Sequence, residues 1–240
     1  MLRDVLKLII TGNEHSGTTI CSRIFQCCSS LATGSIGAEC GILSTPNGIK
    51  GFMRDNPYAD ITHKSWYVSR QNLQDIVNSS ENFEMFYRQI REKSTSILNK
   101  NIGLIDKTPR YNYFLDVVLE RTEDVPIVVM RKDPKNQIAS LVKRGLRFHV
   151  AKSNFEMTYV RFNDLMKNTN RIKVVQFEDF ILNPISHIKQ IHNMMNIDYK
   201  EEDYKDIQKF MRGDAESYKK ILTSQQIELI NNELSEFIVV

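Results

Sequence analysis

A chain of 240 residues, 41% of them apolar and 25% charged, holds enough material for one α/β domain with a substantial core and too little for two enzyme domains. Its net charge of +3 admits an anionic ligand but falls short of the basic excess of a nucleic-acid binder, and no stretch reaches the roughly 20 apolar residues of a membrane span. Neither the four cysteines (Cys21, Cys27, Cys28, Cys40) nor the five histidines (His15, His63, His149, His187, His192) have metal-ligand spacing, so reduced thiols, a cytoplasmic location and no bound metal are expected.

In chain order, residues 5–11 form a continuous apolar run, the pattern of a buried parallel strand. A turn-rich loop at 12–17 and a helix over about 18–29 follow. Residues 33–57 are rich in Gly, Ser, Pro and Asn and read as loop. Residues 70–99 read as helical. A strand at 102–105 leads into Asp106-Lys-Thr-Pro-Arg110 and a helix over about 111–120. The next buried strand, 125–130, runs into Asp133, a helix cap, and Pro134, which suits a first helical position, for a helix to about residue 144. A helix at 153–168, a strand at 171–177, a loop at 178–184 and two or three closing helices complete the chain. Strands alternating with helices predict a parallel sheet with helices on both faces, a single domain over 1–240, and a ligand site at the carboxyl ends of the strands.

Three motifs fall just after predicted strands. The first is Gly12-Asn-Glu-His-Ser-Gly-Thr-Thr19, a loop between strand and helix in which backbone N–H groups and the helix dipole converge on an anion. It has P-loop spacing, G-x4-G-K-[ST], but Thr18 stands where the lysine belongs, which counts against a kinase or ATPase. The second is Arg131-Lys-Asp-Pro134 with Ser140, where a basic side chain and a hydroxyl can converge on a phosphate; Lys132 lies eight residues before Ser140 and Arg131 nine. The third is Lys107-Thr-Pro109.

Together these motifs resemble the sulfotransferase family. His-Ser-Gly-Thr-Thr is similar to that family's 5′-phosphosulfate loop, with His15 where Arg or Lys is usual and Gly12, Ser16, Gly17, Thr18 and Thr19 completing the cradle. The Arg131, Lys132 and Ser140 segment resembles its 3′-phosphate site, with either basic residue open as the contact. Lys-Thr-Pro looks like the carbohydrate and bacterial branches, where Lys107 would neutralise charge on the bridging oxygen. The cytosolic small-molecule branch carries a histidine at the position of Pro109, so the base must come from elsewhere. Glu39 resembles in context the general base of the tyrosyl-protein and bacterial branches; Glu14, inside the loop, is a rival that would repel the donor. Cys40 has no partner placed to make it a nucleophile. Val174-Val-Gln-Phe-Glu-Asp looks like a family strand segment, with Glu178 and Asp179 structural. Arg212 is loosely similar to a late residue that closes over the nucleotide.

The resemblance implies a three-layer P-loop-type α/β fold and transfer of a sulfonate from 3′-phosphoadenosine 5′-phosphosulfate (PAPS), without a metal, to a hydroxyl or amine acceptor, with a saccharide first. A P-loop phosphotransferase and a catalytically silent scaffold of the same fold are the alternatives. Residues 44–100, where acceptor-binding elements would lie, carry no matching motif.

Overall fold

The computed structural model describes residues 1–28, 32–33, 39–55, 59–94, 103–166, 169–211 and 216–238. A one-turn helix, α1 (Leu2–Val5), leads into β1 (Leu6–Gly12), the cradle loop and α2 (Thr18–Cys28). Next come β2 (Ala32–Thr33), α3 (Gly48–Asp55), α4 (Ala59–Ser65), α5 (Arg70–Ser79) and α6 (Phe83–Lys93). The middle of the chain holds β3 (Leu104–Lys107), α7 (Leu115–Arg121), β4 (Ile127–Arg131), α8 (Pro134–Lys143) and α9 (Phe148–Met166). It closes with β5 (Ile172–Gln176), α10 (Phe177–Leu182), α11 (Pro184–Met195) and α12 (Ser224–Glu233).

Among the described residues the sheet has five strands, all parallel, in the order β2-β3-β1-β4-β5. Side chains alternate across it. Ile127 and Val129 face one cluster with Phe52, Leu73, Ile76 and Phe86, from α3, α5 and α6. Val128 and Met130 face the other with Ile24, Phe25, Phe180 and Ile188, from α2, α10 and α11. The register of β1 against β3 shifts between Leu6 and Leu8. That irregularity lets Leu6 join the first cluster and Leu8 the second although they are only two positions apart, a spacing that normally shares one face, so the apolar run serves both faces. A third cluster joins α8, α9 and α12 through Ile138, Phe155 and Ile230.

The register aligns the carboxyl ends of the strands. Ile10 pairs with Lys107, Gly12 with Met130, and Arg131 with Gln176. All three sequence motifs therefore emerge along one edge, with the cradle loop in the middle.

Four expectations need correction. Residues 33–57 are not all loop: α3 lies within them, because Ile49 and Phe52, at helical spacing, bury one face that outweighs two glycines. The expected 178–184 loop is mostly α10. Phe177 and Phe180 bury one side, Glu178 and Asp179 sit in the first turn where the dipole favours them, and Pro184 begins a new helix. The 70–99 helix is two helices, each with its own cap: Ser69 Oγ accepts from the Asn72 amide at 3.0 Å and Asn82 Oδ1 from the Met85 amide at 2.9 Å. Residues 29, 95–99, 102, 167 and 168, at the ends of expected elements, lie outside the described residues. The segment expected as a helix from residue 111 begins as a 3-10 turn, Pro109–Phe114, before α7.

Candidate active site

The cradle loop is held from both sides. Asn13 Oδ1 accepts from Asn112 Nδ2 at 2.6 Å, and the Glu14 carbonyl accepts from Gln137 Nε2 of α8. The Ser16 amide donates to the Asn13 carbonyl at 3.1 Å, and His15 sits in the left-handed region at φ 66°. The two glycines serve the protein's own packing. A Cβ on Gly12 would stand 2.3 Å from the Met130 carbonyl oxygen, and one on Gly17 2.3 Å from the Phe177 ring. Both residues have positive φ, 147° and 99°. Gly17→Ala is expected to cost about 1–3 kcal/mol in urea unfolding, because the backbone strain and the ring contact act together. Ser16 Oγ is wholly buried and has no hydrogen-bond partner. An unmatched donor in a loop of backbone amides at a helix N-terminus fits an incoming oxyanion.

At the end of β4, Lys132 Nζ donates to Ser140 Oγ at 3.3 Å, and Ser140 Oγ donates to the Asn136 carbonyl at 2.7 Å. The eight-residue spacing carries the chain from the strand end to the second turn of α8. Lys132 also lies over the Phe177 ring, 5.2 Å from its centre, and burial pushes its pKa down. Asp133 caps α8, its side chain accepting from the Lys135 amide at 2.9 Å. Glu178 accepts from the Asp133 amide at 3.2 Å and from Asn136 Nδ2 at 3.3 Å, so it braces this turn. Asp179 instead accepts from Asn183 Nδ2 and meets His187 Nε2, each on its own side of α10.

At the end of β3, Lys107 Nζ lies 3.5 Å from Glu39 Oε1. The lysine side chain is 4% exposed and the glutamate 24%, so the pair is recessed but open on the carboxylate side. Burial raises the Glu39 pKa and lowers that of Lys107, while each partner's charge pulls the other back. Cys40, next to Glu39, is fully buried, and burial raises its thiol well above the usual range, so it is not a poised nucleophile.

Beneath this pair lies a group that sequence reasoning passed over. Asp106 is wholly buried and accepts three hydroxyls: Tyr87 at 2.5 Å, Thr108 at 2.7 Å and Tyr111 at 2.8 Å. Thr108 Oγ1 in turn accepts from the amides of Cys40 (3.1 Å) and Gly41 (3.4 Å), and Tyr111 Oη from that of Leu43 (3.3 Å). The sequence placed Asp106 only as the residue before Lys107. Tyr87 and the 40–43 amides are too distant in the chain for any local pattern to reveal them.

The three strand ends open onto one cleft of about 910 Å³. Its walls include His15, Gly17, Thr18 and Thr19 from the cradle, Glu39 and Lys107 on the β3 side, and Lys132 and Ser140 on the β4 side. Glu14, Arg110, Lys143, Arg144 and Ser217 also reach it. Gly12, Ser16 and Arg131 are not among the lining residues. Arg131 is the half-buried last residue of β4, so of the two basic candidates it is Lys132 that meets Ser140 in the cleft. Burial and the nearby Arg144 push the His15 pKa down, which favours its neutral form. Arg212 lies outside the described residues. Among the described residues no group of three or more His, Cys, Asp or Glu side chains could hold a metal ion, and no helix is long and apolar enough to cross a membrane.

A parallel three-layer sheet whose central strand feeds a strand–loop–helix cradle defines an α/β protein of the P-loop type. A model of the sulfotransferase family matches residues 8–201, and the chain belongs to that family: it is a sulfotransferase. None of the curated proteins matches its sequence. Among solved structures it is similar to the sulfotransferase domain of the Synechococcus PCC 7002 olefin synthase (15% identity, TM-score 0.60, covering 95% of this chain and 93% of that one). It is also similar to the sulfotransferase domain of the curacin biosynthetic pathway (16%, 0.57, 95% and 96%). A third is mouse sulfotransferase SULT7A1, solved with PAP (10%, 0.54, 98% and 84%). At these identities the likeness is one of fold.

Proposed function

We propose that this sulfotransferase, acting as a single domain over residues 1–240, takes its sulfonate from PAPS and transfers it in line to a hydroxyl or amine of a polar acceptor, a saccharide first. The observation that carries this reading is the convergence on one cleft of the cradle loop, the Lys132–Ser140 pair and the Glu39–Lys107 pair. In this reading the cradle amides, with Ser16, Thr18 and Thr19, hold the 5′-phosphosulfate end; His15 donates one N–H to it. Lys132 and Ser140 hold the 3′-phosphate. The solved neighbour bound to PAP supports the choice of nucleotide.

Glu39 takes the proton of the acceptor group as the new bond to sulfur forms. Lys107 faces the bond that breaks and stabilises the electron pair left on the bridging oxygen. Burial raises the Glu39 pKa, and Lys107, 3.5 Å away, pulls it back towards the charged form that a base requires. The donor supplies an activated sulfonate; the protein supplies position and charge. Beyond the residues given to the donor, Arg110, Lys143 and Arg144 also line the cleft, and such a polar wall suits a hydroxyl-rich acceptor better than an apolar one. The buried free thiols of Cys21 and Cys40 support a cytoplasmic location.

Calorimetric titration with 3′-phosphoadenosine 5′-phosphate (PAP), beside ATP with magnesium, tests the donor site. Saturable binding of PAP and none of ATP is expected. Binding of ATP alone would overturn the PAPS reading.

A further inference from the structure

We infer that Asp106 and Thr108 are positioning residues for Glu39: the buried carboxylate orients the Thr108 and Tyr111 hydroxyls so that they grip the backbone of the 39–43 loop and set the Glu39 side chain against Lys107. The inference rests on the reading of Glu39 as the base.

Hydrogen-bond direction sets what Thr108 and Tyr111 can offer the loop. Burial raises the Asp106 pKa, and the three hydroxyls and Lys107 pull it back; as a carboxylate it only accepts, so each hydroxyl spends its single proton on it. The lone pairs of Thr108 and Tyr111 are then the atoms that face the loop, and the amides of Cys40, Gly41 and Leu43 donate to them. From the other side, Thr62 Oγ1 of α4 donates to the carbonyls of Glu39 (3.2 Å) and Cys40 (3.3 Å). The peptide carrying the base is thus fixed through both its donors and its acceptors. The Thr108 amide itself donates to the Ile10 carbonyl at 3.0 Å, and Thr11 Oγ1 to that of Pro109 at 3.0 Å. The anchor is therefore part of the sheet edge that carries the cradle. Tyr87 brings in α6, so α6 and the 106–111 stretch meet at one carboxylate, and the 40–43 loop hangs from two of the hydroxyls bound to it. A buried acidic residue needs partners, but solvation alone does not require the partners' lone pairs to be spent on the loop beside the cleft.

Thr108→Val keeps the volume and removes the relay, and Thr108→Ser keeps the relay. The amides of Cys40 and Gly41 in the valine variant are expected to exchange hydrogen roughly fivefold to tenfold faster, the loss of about one hydrogen bond. The Glu39 carboxyl, followed by carbon-13 NMR titration, should move down towards the ordinary range as the loop loosens. Besides Asp106, Lys107 and Glu14 bear on its charge. The serine variant should restore both readouts, and PAP affinity should stay unchanged throughout, which shows the fold intact. Asp106→Asn should reproduce the valine result, because its amide group donates and reverses a hydroxyl. If Thr108→Val leaves exchange and titration at wild-type values, the inference is overturned. Neither readout needs an acceptor, so this failure is distinct from that of the base assignment, which Glu39→Gln tests.

Discussion

Glu39→Gln is expected to lower kcat for sulfonate transfer by about 100- to 10,000-fold, the range for losing a general base, with PAP affinity within about twofold of wild type. The glutamine keeps the size of the side chain and a polar contact for Lys107, so the 3.5 Å pair is changed in charge more than in shape. A loss in kcat without a loss in nucleotide binding separates a base from a residue that holds the donor. The pH profile gives a second reading. Burial places the Glu39 pKa above the ordinary glutamate range. A base must be deprotonated, so the rate should fall as pH drops through that raised value, and this acid limb should vanish in the glutamine variant. A wild-type rate in Glu39→Gln would turn attention to Glu14, which also lines the cleft.

Lys132→Ala is expected to weaken PAP binding by roughly 10- to 100-fold, the loss of a charge-assisted hydrogen bond of about 1.5–3 kcal/mol. Ser140→Ala should weaken it less, since a neutral hydroxyl contributes less than a cation. Arg131→Ala, by contrast, should stay within about twofold, since it is Lys132 Nζ that reaches Ser140. Calorimetry on the three variants decides between the two basic residues: a large loss for Arg131→Ala and none for Lys132→Ala would reverse the assignment.

Arg131 and Lys132 are adjacent, and local sequence cannot tell which of them turns towards Ser140. The spacing to Ser140 left two registers, one residue apart. The alternation of β4 side chains between the two faces of the sheet and the start of α8 at Pro134 bring Lys132 Nζ to Ser140, a fact of pleat and helix phase. The α10 correction has the same origin. The 178–184 stretch, between Glu178-Asp179 and Asn183-Pro184, reads as loop, yet Phe177 and Phe180 are buried, one against the cradle's Gly17 and the other in the sheet core.

The sequence by itself determined the parallel α/β architecture, because continuous apolar runs such as residues 5–11 can be buried on both faces only when helices cover both sides. It also determined the cradle and its place at the end of the first strand, since Gly12, Gly17 and a helix start are local features. Tertiary structure alone decided what surrounds them. Glu39 meets Lys107 across 68 residues of chain, and Asp106 gathers Tyr87, Thr108 and Tyr111 beneath them, because the strand order seats β3 beside β1 and folds the loop at 39–43 over its end. Such contacts follow from which strands become neighbours, and that is set by the packing of the whole core rather than by any pattern near the residues themselves.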